Sequence, residues 1–176
     1  MKRVIFVYGT ISGVVIITSM ILGFALDGDG TGAGSSQWLG YLIMLVALSL
    51  IFFGIKRHRD QELGGVIRFG TAALLGLGIT LVASVIYVGV WEAYLSMTDY
   101  AFIGDYTRSV LASKEAEGLT GAALEAEIAS METFEARYAN PLFRLPMTFL
   151  EIFPVGLLVT LISAGLLKND RFVPAA

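Results

Sequence analysis

The chain has no cysteine. That absence excludes a disulfide scaffold, thiolate metal sites, iron–sulfur clusters and a cysteine nucleophile. Histidine is almost missing too. His58 is the one imidazole, without the partners a histidine metal site or catalytic triad needs. Charge is sparse, at 15% of residues, against about 25% in ordinary soluble domains. Twelve Lys and Arg stand against fifteen Asp and Glu, so the basic excess of a nucleic-acid binder is lacking. The alternating pattern of a transmembrane barrel is absent as well. What remains is apolar: 56% hydrophobic residues and a mean hydropathy of +0.74. These values exclude a soluble globule and a disordered tail. They point to an integral membrane protein.

A bilayer core takes about 20 apolar residues of helix, with a range of roughly 17–25. Four stretches have that length: Val4–Leu26, Trp38–Ile55, Phe69–Trp91 and Met147–Leu167. The first three carry no charge and the fourth carries one, Glu151. The first run is too long for the apolar core of a cleaved signal peptide and ends without an A-x-A-like site, so it reads as a retained span. The expected fold is an all-α integral membrane protein, residues 1–176 as one domain. It has four transmembrane helices and an acidic helical insertion, 92–146, between spans three and four.

Lys and Arg collect on the cytoplasmic side of short membrane loops. With four spans, the N-terminus, the second connection and the C-terminus share a side. That side holds Lys2, Arg3, Lys56, Arg57, Arg59, Arg68, Lys168 and Arg171 against Asp60, Glu62 and Asp170, a net charge of +5. The other side holds four basic residues against twelve acids, a net charge of −8. The small overall charge of −3 thus conceals a strong asymmetry. It predicts an inner-membrane protein with both termini cytoplasmic.

The connections differ in kind. Asp27–Gln37 reads as a short Gly-rich outer loop. Lys56–Arg68 is a basic elbow with Gly64-Gly65 as its turn. Within the long third connection, Thr120–Tyr138 has helical spacing, with Thr120 as N-cap and Leu124, Ile128, Met131 and Tyr138 on one face, interrupted by Glu135. A second short helix is expected over Tyr106–Glu117, broken at Gly118. Asn140-Pro141 and Pro146 are expected to end the region. An apolar stripe is costly in water, so the segment reads as a cap over the span ends rather than a free hairpin. No internal repeat is evident, which removes the sequence support for an inverted-repeat transporter.

Residues Phe52–Ile79 read FFGIKRHRDQELGGVIRFGTAALLGLGI. An apolar span runs into Ile55-Lys56, followed by Arg59-Asp60, Gly64-Gly65, Phe69-Gly70 and a span rich in small residues. This stretch resembles a bacterial membrane family of unknown function, domain-of-unknown-function family 4199. The layout of four spans, a long third connection and Asn140-Pro141 before the last span is similar throughout. The resemblance implies a bacterial inner-membrane protein and carries over no catalytic residues.

Several residues are site candidates. Asp27, Asp29, Thr31 and Gly32 imitate the first half of a calcium loop. Trp38 stands where the bidentate Glu is required, so the segment reads as a polar turn. No Lys-Ser/Thr follows these glycines, which removes a phosphate loop. His58 reads as a basic residue at headgroup level. Lys56, Arg57, Arg59 and Arg68 form a candidate site for anionic lipid headgroups, although topology alone explains their charge. Glu151 lies four residues inside its span, about 6 Å at the helical rise. With Glu92 and Arg144 it forms a candidate polar cluster, set against a simple interfacial ion pair. Pro154 is expected to kink the last span. Small residues mark helix contacts: Gly9 and Gly13 in span one, Gly76 and Thr80 in span three, Gly156 and Thr160 in span four. These faces serve either packing of the four spans or an oligomer.

No catalytic set is visible, so no enzyme, cofactor or metal site is expected. An intramembrane enzyme would rest on Glu92 and Glu151 without a nucleophile beside them. The best-fitting reading is an accessory or structural membrane protein that binds partners. The alternative is a protomer of an oligomeric small-solute or ion transporter or channel. Expected partners are the lipid bilayer and a homo-oligomer or membrane-protein partner, not nucleic acid.

Overall fold

The structure, a computed structural model, describes residues 1–26, 37–168 and 174. The calcium-like loop residues Asp27, Asp29, Thr31 and Gly32, and the charges Asp170 and Arg171, lie outside the described residues. All described elements are helices: α1 (Lys2–Leu26), α2 (Gln37–Leu48), α3 (Leu50–Glu62), α4 (Phe69–Met97), α5 (Ala101–Ala116), α6 (Ala122–Tyr138) and α7 (Pro141–Leu167). Four helical stretches are long and apolar enough to cross a membrane: Lys2–Phe24, Trp38–Glu62, Phe69–Met97 and Pro141–Leu167.

Each expected span is present, and each helix runs past its apolar stretch. The second is divided at Ser49 into α2 and α3. Ser49 Oγ donates to Val46 O at 2.6 Å, the local back-bonding by which serine competes with the helical ladder. α3 continues to Glu62 before Gly64, at φ +67°, takes the left-handed conformation. Gly65 N–H then returns to Arg59 O at 2.9 Å, a helix stop of the kind glycine permits.

Asn140 and Pro141 start α7 rather than merely closing the insertion. Asn140 is the N-cap, its side chain accepting from Leu142 N–H at 2.9 Å, and Pro141 occupies the first turn, where a missing N–H costs nothing. Pro146, expected to end the region, is inside the helix, as is Pro154. α7 remains one helix through both.

α4 is the central helix. It packs most extensively against α1 and α7, while α3 lies against α7 and α2 against α1. Its contact face is marked by Ala72, Leu75, Gly76, Ile79, Thr80, Ala83, Ser84 and Tyr87, all buried, recurring at the helical three-to-four spacing. α5 and α6 pack on each other at the other end of the bundle from the elbow. α6 starts later than its sequence suggests: Gly121, not Thr120, is the N-cap.

Candidate functional site

Three features hold polar chemistry: two are assembled at helix ends and the third, at Glu151, lies within the long helices α4 and α7.

The first joins the insertion to the spans. Arg144, in the first turns of α7, is only 2% exposed. Its Nη2 and Nε donate to the two Glu92 carboxylate oxygens at 2.6 and 2.9 Å, a fork-on-fork pair that fixes orientation as well as charge. Its Nη1 donates to Tyr138 O at 2.8 Å and Ala139 O at 3.2 Å. These are carbonyls at the end of α6, where a helix leaves acceptors unpaired and favours a cation. One guanidinium therefore ties together α4, α6 and α7.

Aromatic residues close around this clamp. The Tyr100 ring lies 4.8 Å from the guanidinium carbon, and its hydroxyl donates to Glu92 Oε1 at 3.0 Å. The Glu92 carboxylate holds the Tyr100 hydroxyl above the usual tyrosine range. Tyr100 reaches this place because Asp99 and Tyr100 both take positive φ, 50° and 56°, reversing the chain between α4 and α5. Trp91 Nε1–H donates to the Tyr138 hydroxyl at 2.9 Å. The Trp91 ring meets Phe102 of α5 edge-on at 4.9 Å and Phe24 of α1 at 5.9 Å. Burial holds Tyr138 above the usual tyrosine range.

Glu151 stands apart from this clamp. Sequence spacing grouped it with Glu92 and Arg144. In the structure its hydrogen-bond donor is Tyr87, at 3.0 Å, and Arg144 is committed to Glu92 and the α6 carbonyls. Two helical turns separate Arg144 from Glu151, about 10 Å along the axis. Pairing with Glu92 and the end of α6 takes the guanidinium away from that line. The candidate cluster is thus an ion pair plus a separate carboxylate.

The elbow departs further from expectation. Arg59 is fully buried. Its Nε donates to Asp60 Oδ1 at 2.6 Å, and its terminal nitrogens donate to Leu167 O at 3.3 Å and Pro174 O at 3.2 Å. It serves the C-terminal end of α7 as Arg144 serves that of α6. Being enclosed, it presents no charge to a lipid headgroup. Lys56 pairs with Asp60 at 2.6 Å. His58 is buried as well, its Nδ1 3.0 Å from Glu62 Oε2. It is not the headgroup-level residue its basic neighbours suggested. Glu62 also receives the N-terminal ammonium at 3.0 Å, so α1 and α3 are joined here. Arg57 and Arg68 are the exposed members of the headgroup candidate, and Arg57 donates to Gln61 at 3.1 Å.

The small-residue faces meet within the chain. Gly9 and Gly13 lie against Ile79, Val82, Ala83 and Ile86 of α4. Gly76 lies against Thr160, and Gly156 against Thr80. Between these two glycine–threonine contacts the Thr80 and Thr160 hydroxyls hydrogen-bond at 3.1 Å. Such residues allow close backbone approach.

Tyr87, Tyr100 and Trp91 were not singled out by sequence. Pattern reading treats aromatics at span ends as interface anchors, which hides their specific partners. Among the described residues, no group of three His, Cys, Asp or Glu is placed to hold a metal ion.

No curated protein and no solved structure matches the chain. The family model described as "Protein of unknown function (DUF4199)" matches residues 7–169, which includes the elbow, the clamp and all but the first residues of α1. The chain belongs to the DUF4199 family.

Proposed function

We propose that this protein is an accessory membrane protein that presents the α5–α6 cap to a partner. The observation that supports this most is the combination of a firmly clamped cap with an exposed outward face on α6. In α6 the buried residue is Tyr138, at the clamped end. Leu124, Ile128 and Met131, on the same face as Tyr138 and Glu135, are half-buried. Thr107 of α5 donates to Glu135 at 3.4 Å, so this stripe turns toward α5. The opposite face carries Ala126, Ala129, Ser130 and Thr133, all exposed. They line a shallow groove of about 480 Å³ that reaches Phe143 of α7.

Small side chains allow a second helix to approach closely. Phe134 and Arg137 complete the groove lining, so the occupant that fits is a helical segment of another membrane protein. The charge asymmetry supports an orientation with both termini cytoplasmic and the cap outside, in the inner membrane of a bacterium.

The test is co-purification from native membranes in mild detergent, comparing the unaltered chain with Ala129→Trp and Ser130→Trp. The expected result is one partner that both variants lose without a change in thermal unfolding. Retention of the partner by both variants, or a chain that purifies alone, refutes the reading. The alternative, a transporter or channel protomer, has less support because the small-residue faces that would join protomers are occupied by α1–α4 and α4–α7 contacts. Solute or ion flux in proteoliposomes that drops for Glu151→Gln would reverse this preference.

A further inference from the structure

Beside Glu151 lies a cavity of about 320 Å³ between α1, α2, α4 and α7. Its wall includes Ile16 and Met20 of α1, Met44 of α2 and Tyr87 of α4, with Glu151 from α7. The volume falls at the lower end of small-molecule sites, roughly 300–1,000 Å³, which are typically apolar with few polar groups.

The polar group here is unusual in three respects. Glu151 is the single charged residue of its apolar span, Met147–Leu167. It is exposed by surface area and lines the cavity. And among the described residues no Lys, Arg or His makes a salt bridge with it. Its Oε2 accepts from Tyr87 at 3.0 Å, and no hydrogen bond to its Oε1 is present among the described residues. The Tyr87 hydroxyl also lies 3.0 Å from Met20 Sδ, but a carboxylate is much the stronger acceptor. Tyr87, itself 4% exposed, therefore fixes one carboxylate oxygen of a residue that lines the cavity.

An acid within a membrane span ordinarily has a partner, and its presence marks a functional position. The clamp and the elbow meet that requirement with buried arginines. This carboxylate has no such protein partner, while the surface around it is mostly apolar, with Ser19, Tyr41 and Tyr87 as the other polar side chains of the wall. We infer that the cavity binds an amphiphilic cation, its alkyl chain along Ile16, Met20 and Met44 and its ammonium group on the Glu151 carboxylate. Charge decides the class. An anionic amphiphile would meet a carboxylate with no compensating cation, and a neutral one would leave Glu151 unpaired.

The experiment uses the full chain in lipid nanodiscs, with Ser19→Cys as a reporter in the cavity wall. Ser19 lines the cavity, the replacement is close in size, and the chain has no other cysteine. The rate of alkylation by N-ethylmaleimide is measured with dodecylammonium or with dodecanol, an uncharged amphiphile of equal chain length. Dodecylammonium is expected to slow alkylation about tenfold, as a charge-assisted contact allows, and dodecanol to leave it nearly unchanged. Adding Glu151→Gln is expected to remove the protection. A Ser113→Cys reporter on α5 is expected to ignore both compounds. Equal protection by dodecanol, protection that survives Glu151→Gln, or no protection by dodecylammonium overturns the proposal. A Ser19→Cys reporter that does not react before ligand is added overturns it as well, because the cavity would then be closed.

Discussion

Replacing Gly156 by alanine tests the packing of α7 on α4 with a built-in reference. A Cβ at Gly156 would overlap Thr80 Cγ2 and come within 3.0 Å of its hydroxyl oxygen. Thr80 is fully buried, so the overlap cannot be relieved by turning a side chain into open space. Overpacking of this kind costs about 1–3 kcal/mol. Alanine also gains helix propensity over glycine, about 1 kcal/mol, which partly conceals the clash. Gly89 of α4 separates the two effects. It is helical, exposed, and has nothing within 4 Å of an added Cβ. Gly89→Ala should therefore stabilise by about 0.5–1 kcal/mol, while Gly156→Ala should lose stability or stay level. The gap between them is the packing penalty, about 1–3 kcal/mol. Thr80→Ser removes the overlapping methyl and keeps the hydroxyl bonded to Thr160, so the double variant should recover much of the loss. The assay is reversible unfolding by sodium dodecyl sulfate in mixed micelles, followed by circular dichroism. Equal shifts for Gly89→Ala and Gly156→Ala, or no recovery with Thr80→Ser, would refute the close α4–α7 contact.

Other consequences follow from the same contacts. Glu92→Gln leaves a buried guanidinium without its counter-charge. A fully buried pair would lose about 3–5 kcal/mol, and about 2 kcal/mol is expected because the Glu92 side chain is 29% exposed. Hydrogen exchange should accelerate across α5 and α6 while the centre of α4 remains protected, and uniform acceleration would contradict a local clamp. Arg59→Gln should release the end of α7, seen as faster exchange at 160–167, without changing retention on anionic-lipid vesicles. Loss of vesicle binding instead would restore Arg59 as a headgroup residue. Cysteines introduced singly by Ser36→Cys and Ser113→Cys should react with an impermeant thiol reagent from outside the inner membrane. If neither reacts, the orientation is reversed.

The spans and the α6 helix were legible because both rest on one-dimensional properties, apolar length and helical spacing. The small residues were legible as contact positions too, though whether Gly9 and Gly156 faced inside the chain or another copy was not. Partner choice is the part that sequence conceals. Glu92 and Arg144 were grouped because both lie at the same outer level of their spans, and their side chains meet in the structure. Glu151 joined them on spacing alone, and the structure assigns it to Tyr87, 64 residues away. Arg59 read as one more basic elbow residue, because its burial depends on where α7 ends 108 residues later. The positive φ of Asp99 and Tyr100 has no glycine to announce it. The stripe Leu124, Ile128 and Met131 was visible, but that it turns toward α5 is a tertiary fact.

The most direct test of a partner-binding cap is site-specific photo-crosslinking in intact cells, with the photoreactive residue at Ser130 on the outward face of α6. A single adduct with a different membrane protein is expected, reduced by Ala129→Trp and absent when the photoreactive residue is placed at Leu124 on the face turned to α5. No adduct at Ser130, or an equal adduct from Leu124, would contradict it.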